Sequence, residues 1–203
     1  MQLEYFKAKK ILDDYNIKSI ESKYVNNAEE AKKFCGNSKI VLKAISEKAV
    51  HKSKAGLVIL DLDKESVERG YNELVKLAEK VKPYKIIAQK MSKKGIEIII
   101  GGRDDAQFGR LILIGLGGIY VEAFKDFALR LCPIKEYDAK SMLDQLRSKN
   151  VITYNGEAEA QLIKLLMKVS KLLIDHKEIK ELDLNPAIIY KDGYEMVDIR
   201  MII

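Results

Sequence analysis

Asp183, Leu184, Asn185 and Pro186 stand in one run near the C-terminus, and Asp198 follows a Lys191, Asp192, Gly193 turn. Alternation along a strand puts Asp183 and Asn185 on one face, and a hairpin turning at Asp192 returns Asp198 to within about one position of Asn185. Hard oxygen donors gathered at one spot suit Mg²⁺, which takes one or two protein carboxylates or amides and keeps its other sites for water and phosphates. A merely polar hairpin end would look the same.

Three further places could do chemistry. Lys43 ends the apolar run Ile40, Val41, Leu42; a strand lysine in a cleft holds a phosphate as a point charge, whereas one on an edge strand only faces water. His51, Lys52, Ser53, Lys54, Ala55 and Gly56 combine cations, a hydroxyl and a glycine between two apolar runs. That composition suits phosphate contact, and a largely unprotonated imidazole can accept a phosphoryl group; a solvated basic turn is the plainer reading. Glu97 is the lone acid in Gly95 to Ile100, on the face opposite its flanking isoleucines, where it could accept hydrogen bonds from ribose hydroxyls or simply meet solvent. The run Gly115, Leu116, Gly117, Gly118 lets backbone approach a ligand or another chain closely, with tight turning as the plainer reading, and it lacks the third glycine and following helix of a dinucleotide fingerprint.

Positioning such residues needs a folded scaffold, and 203 residues with 47% hydrophobic content can fill one large domain or two small ones. Cys35 and Cys132 are far apart, and with only His51 and His176 no zinc set exists. The net charge of +6 suits anionic ligands, but the basic residues are mostly lysine, dispersed and rarely beside aromatics, so no nucleic-acid partner is expected. No apolar run approaches the roughly 20 residues that span a bilayer, and the N-terminus is not a secretory signal; no membrane role and a cytoplasmic location are expected.

The elements read as a helix through Leu12 and Tyr15, a second helix capped by Asn27, strands Lys39 to Ala44 and Gly56 to Leu62, and a helix from Lys64 to Val81 ended by Pro83. Strands follow at Lys85 to Lys90, Gly95 to Gly101, Arg110 to Gly115 and Tyr120 to Cys132. Two helices, near Ala139 to Ser148 and Glu157 to Asp175, precede the hairpin Ile179 to Tyr190 and Tyr194 to Ile199. Clustered rather than alternating elements argue for an α+β fold. The division between lobes is expected between Pro83 and Gln89, giving 1–84 and 85–203.

In this order the segments resemble the beta subunit of ADP-forming acetate-CoA ligase, the archaeal acyl-CoA synthetase, and more distantly the succinyl-CoA synthetase beta chain. The resemblance is carried by Val41, Leu42, Lys43; by His51, Lys52, Ser53; by Gly95 to Gly101; by Gln107, Phe108, Gly109; by Gly115 to Glu122; and by Glu181 to Pro186. It runs nearly the full length and implies an ATP-grasp fold, two α+β lobes with mostly antiparallel sheets holding nucleotide between them. By the same resemblance Lys43 contacts phosphate, Gln89, Lys90 and Met91 form the interlobe segment beside adenine, and Glu97 is the ribose-side or adenine-side acid. Asn185 and Asp198 resemble the Mg²⁺ ligands, Asp183 the acid that steadies an incoming phosphohistidine loop, and His51 the histidine that relays phosphate.

The implied cofactors are ATP or ADP with Mg²⁺. The implied reaction is acyl-CoA plus ADP plus phosphate giving acid, CoA and ATP, with a CoA-binding alpha subunit carrying a phosphohistidine as partner in a hetero-oligomer. The chain departs from the pattern at Lys54, where the family has an acid, at Leu57, where it has a second glycine, and at Ala106, where it has proline. Those loop changes motivate a second reading, a nucleotide-binding subunit with a drifted relay loop; a self-contained carboxylate-amine ligase is a third.

Overall fold

The computed structural model describes residues 1–46, 56–118 and 126–203. His51 and its loop neighbours Lys52, Ser53 and Lys54 lie outside the described residues, as do Tyr120, Val121 and Glu122. Two compact units form, one of Ile20–Lys93 and one of Met1–Ser19 with Lys94–Ile203.

The division expected at residue 84 therefore moves, for two reasons. Helix α1 (Tyr5–Asp14) belongs with the C-terminal unit, because the Leu3 N–H donates to the Met201 carbonyl at 2.8 Å and the Met196 N–H to the Lys18 carbonyl at 2.9 Å. At the other boundary, Lys85–Lys90 is a strand of the smaller unit, and cutting before it would strip two neighbours of their backbone partners.

The smaller unit is a four-stranded antiparallel sheet of β1 (Ser22–Tyr24), β2 (Ile40–Ile45), β3 (Val58–Leu62) and β4 (Lys85–Lys90), in the order β1-β4-β2-β3. Helices α2 (Ala28–Cys35) and α3 (Val67–Ala78) cover one face. Asn27 starts α2 by accepting the Glu30 N–H at 2.9 Å, as a cap should. In α3 the spacing of Val67, Tyr71, Leu74 and Ala78 makes one apolar stripe, which packs with Ile40, Leu42, Ala44, Ile86 and Ala88 of the sheet. Each large side chain buried there contributes about 1.5–3 kcal/mol. Gly70 permits the close fit, since a Cβ on it would lie 2.7 Å from the Leu62 methyls.

The larger unit holds β5 (Ile96–Asp105), β6 (Gly109–Leu116), β7 (Phe127–Leu131), β8 (Glu181–Tyr190), β9 (Gly193–Met196) and β10 (Arg200–Ile202). They form one antiparallel sheet in the order β10-β8-β5-β6-β7, with β9 also paired to β8. Helices α4 (Glu136–Gln145), α5 (Lys149–Ile152) and α6 (Glu159–Asp175) complete it. α6 lies on the sheet closely enough that a Cβ on Gly102 would meet Leu173 at 2.6 Å. Its Leu162, Leu166, Val169 and Leu173 are buried, as are Ile98, Ile100, Ile112, Ile114, Leu182 and Leu184 of the sheet.

Cys35 is buried, but Cys132 is only half-buried rather than a core residue. Among the described residues no helix is long and apolar enough to cross a membrane.

Candidate functional site

The sheet of the larger unit packs one face against α6 and turns the other away from that helix. Ile98 and Ile100 on β5, with Leu182 and Leu184 on β8, point to the helix side. Alternation sends Glu97, Ile99 and Gly101 of β5, and Asp183 and Asn185 of β8, to the other side. The expected placement of Asp183 and Asn185 on one face, and of Glu97 opposite its isoleucines, is what the register gives.

The β8–β9 hairpin pairs Tyr190 with Gly193 and Ala187 with Met196 around a two-residue Lys191–Asp192 loop. The same register resumes where Asp183 pairs with Arg200. β9 and β10 are thus one strand interrupted at residues 197–199, opposite residues 184–186. On β8 that stretch is a bulge, with Asn185 and Pro186 together facing Ile99, and the Asn185–Pro186 peptide is cis. A bulge frees side chains from the ladder and re-aims them.

Asp198 lies in the gap, where its N–H reaches the Pro186 carbonyl at 3.4 Å beside that of Val197 at 3.0 Å. Asn185 and Asp198 come together across the break as the spacing predicts, both half-buried. The expectation of an unbroken strand from Tyr194 to Ile199 is corrected: pairing stops at Met196.

One amide oxygen and one carboxylate fit a hard divalent cation that keeps waters and phosphates in its remaining sites. Among the described residues no group of three or more His, Cys, Asp or Glu forms a soft-metal or fully protein-built site.

Arg200 was not singled out by sequence, yet it stands directly across from Asp183, and its guanidinium lies 3.7 Å from the Glu181 carboxylate. The signal lies in the hairpin register, which sets Arg200, two residues beyond Asp198, opposite Asp183.

Glu97 is exposed, and the turn after β6 folds over it. The Gly117 N–H donates to the Glu97 carbonyl at 2.8 Å. A Cβ on Gly118 would lie 2.7 Å from Glu97 Oε2. The close-approach reading of Gly115 to Gly118 therefore applies, with Glu97 as the group approached. At the other end of this region Asp126 accepts the N–H groups of Arg147 and Ser148, each at 2.9 Å. Burial by itself would raise its carboxyl, but the hydrogen bonds from Ser148 and Arg147 hold it below the usual range.

In the smaller unit Lys43 is only 6% exposed and pairs with Ile87 on β4 and Val58 on β3. Leu42 and Ala44 point to α2 and α3, so Lys43 lies on the opposite face of the sheet. Gln89, also buried, shares that face one ladder position away, opposite Val41. The edge-strand alternative for Lys43 is thereby removed, since β2 is central.

Lys90 does something the sequence did not show. Its Nζ donates to the Phe34 carbonyl at 2.7 Å and the Cys35 carbonyl at 3.2 Å, and it sits 4.8 Å over the Phe34 ring. It neutralises the carbonyl end of α2. Met91 is exposed and gives its N–H to the Lys39 carbonyl at 3.1 Å.

Residues 1–203 match the family model described as ATP-grasp domain, which sets the class. The chain is 35% identical over 212 residues to the acetate-CoA ligase (ADP-forming) II subunit beta of Pyrococcus furiosus, covering 98% of this chain and 90% of that one. It is 34% identical over 203 residues to the acetate-CoA ligase (ADP-forming) I of Archaeoglobus fulgidus, where it covers 95% of this chain but spans only 30% of the longer relative. A solved structure of the dinucleotide forming acetyl-coenzyme A synthetase 1 of Ca. Korarchaeum cryptofilum has a TM-score of 0.84 at 32% identity, over 100% of this chain and 92% of that one. That structure is in complex with coenzyme A and Mg-AMPPCP, with its phosphohistidine segment pointing towards the nucleotide binding site. The chain belongs to the ATP-grasp family, in the branch formed by the beta subunits of ADP-forming acetate-CoA ligases.

Proposed function

We propose that this chain is the nucleotide-binding subunit of an ADP-forming acyl-CoA ligase, moving a phosphoryl group between a phosphohistidine on a CoA-binding partner and ADP. The observation that carries the reading is the meeting of Asn185 and Asp198 at the break in the β8 hairpin, on a sheet that also presents Glu97 and Asp183 away from its helices. Asn185 and Asp198 would hold Mg²⁺, which supplies charge neutralisation on phosphoryl oxygens.

The remaining roles fall to this chain's own side chains. Lys43, held rigid in a central strand, places a positive charge on the transferring phosphoryl oxygens without having to reorganise. Glu97 accepts from the ribose hydroxyls. Asp183 accepts the N–H of the incoming imidazole, orienting the other ring nitrogen for transfer, and Arg200 stands opposite it in the strand register. Lys90 serves α2 with its side chain, so the segment from Gln89 to Met91 would meet the adenine mainly through backbone.

In the direction of ATP synthesis the phosphoryl group passes from the partner's phosphohistidine to His51, one P–N bond breaking as the other forms, and then to ADP, the His51 P–N bond breaking as a P–O bond to the β-phosphate forms, which leaves both imidazoles neutral. The reading has the chain cytoplasmic and in a hetero-oligomer, with His51 as a relay between the two subunits. Leu57, which replaces a family glycine, is buried in the core of the smaller unit, so this change is absorbed by packing.

The test uses ATP labelled at the γ-phosphate with Mg²⁺, the chain with and without the CoA-binding subunit, and Asn185→Ala and His51→Ala versions. Acid-labile, base-stable label on the partner, lost with Asn185→Ala, is expected. Nucleotide binding with no transfer even when the partner is present would replace the catalytic reading by that of a drifted binding subunit.

A further inference from the structure

We infer that Gly118 is a positioning residue for nucleotide binding, because the side-chain-free turn at Gly117 and Gly118 is what leaves room for the Glu97 carboxylate where it stands. The inference rests on the reading that Glu97 contacts the nucleotide. It extends that reading to a residue with no polar side chain of its own.

β6 pairs with β5 as far as Leu116, opposite Ile98. One residue later the chain crosses the backbone of β5, and the Gly117 N–H bonds the Glu97 carbonyl at 2.8 Å. The approach is so close that a Cβ on Gly117 would lie 2.9 Å from backbone atoms of both Glu97 and Ile98. Gly118 then adopts a φ of +69°, and a Cβ built on it would lie 2.7 Å from Glu97 Oε2 and 3.7 Å from its carboxyl carbon. The two glycines have different jobs. Gly117 is excluded from having a side chain by backbone, which cannot yield, whereas Gly118 is hemmed by the movable end of a glutamate.

An exposed glutamate on a strand ordinarily spreads over many rotamers, and a ligand that needs one of them must order it. Here the carboxylate occupies the space beside Gly118 that a side chain would take, so the bare turn leaves that position open to it before any ligand arrives. A methylene at Gly118 would push the carboxylate out of that position while leaving its charge and the fold intact.

The decisive variant is Gly118→Asn, because asparagine tolerates positive φ while carrying the Cβ. Binding of Mg-ADP to the full chain is measured by calorimetry for Gly118→Asn, Glu97→Ala and the double variant, with Tm recorded for each. Gly118→Asn is expected to weaken binding about 3- to 10-fold in the Glu97 chain and less than about twofold in the Glu97→Ala chain, with Tm nearly unchanged. Equal weakening in both backgrounds, or none in the Glu97 chain, overturns the inference. Should Gly118→Asn fail to fold, Glu97→Asp takes its place: its carboxylate is withdrawn from the turn, and it is expected to bind as weakly as Glu97→Ala. Wild-type affinity in Glu97→Asp would overturn the inference while leaving the role of Glu97 standing. Wild-type affinity in Glu97→Ala removes both.

Discussion

Lys43 is an ammonium group in the middle of a sheet, 6% exposed, where a leucine would cost nothing to desolvate. Such a group persists where its charge is used. Lys43→Met, which keeps the aliphatic stem, is expected to lower phosphoryl transfer about 100-fold or more while Tm stays within about 5 °C; parallel activity and thermal-melt measurements check this, and full activity would remove Lys43 from the site. Asn185→Ala and Asp198→Ala remove one hard donor each, so the Mg²⁺ concentration for half-maximal transfer should rise about tenfold or more in both. A metal titration at saturating nucleotide would show it, and an unchanged requirement would move the cation elsewhere. Gly117→Ala differs from these, since its Cβ would strike backbone at 2.9 Å and the damage should appear as lost Tm rather than as altered affinity. Glu97, Asp183 and Asn185 were legible because strand alternation fixes their face from sequence alone. Lys90 was not, because its partners are the carbonyls of Phe34 and Cys35, more than fifty positions away, which no local pattern announces.

At the scale of elements, the strands and helices follow from periodicity and caps, and the hairpin register follows from its two-residue loop. What sequence could not show was the interruption of the last strand. Val197, Asp198 and Ile199 alternate as acceptably as their neighbours, and the break depends on the bulge in the partner strand. The lobe division is not legible for a related reason: α1 has an ordinary apolar stripe that does not say which sheet it will meet.

Its docking includes a hydrogen bond from the Tyr15 hydroxyl to Asp175 at 2.8 Å at the end of α6, with His176 packed edge-on to the Tyr15 ring. Burial first, then the Asp175 hydrogen bond and charge, push the Tyr15 phenol up to about 12. The protonated form is favoured by folding, so this contribution is complete below the unfolded tyrosine value near 10 and is lost as pH rises towards about 12. Tyr15→Phe should therefore lower stability at neutral pH by about 1 kcal/mol and flatten the decline between pH 10 and 12 relative to wild type. Denaturant melts across that window decide it; identical alkaline slopes in the two proteins would sink the assignment.

For the molecule as a whole, the two units are connected differently along the chain, and that makes their stabilities separable. The smaller one is continuous, Ile20–Lys93, and the described members of its core, from Val25 to Ala88, all lie within that range. The larger one is closed by the first nineteen residues. These bury Tyr5, Ala8, Leu12 and Ile17 almost completely, and they occupy the β10 side of the sheet through the Gln2–Ile202 bridge and the Leu3 N–H bond to Met201. Three large apolar side chains at about 1.5–3 kcal/mol each amount to a large share of the roughly 5–15 kcal/mol that stabilises a typical domain. Removal of residues 1–17 is therefore expected to abolish amide protection in β5, β6 and α6 while β2, β4 and α3 keep theirs. Hydrogen exchange followed by mass spectrometry resolves these segments separately. Protection surviving in β5 and α6 would mean that α1 is an accessory to the larger unit, and simultaneous loss in β2 and α3 would mean that the two units unfold as one.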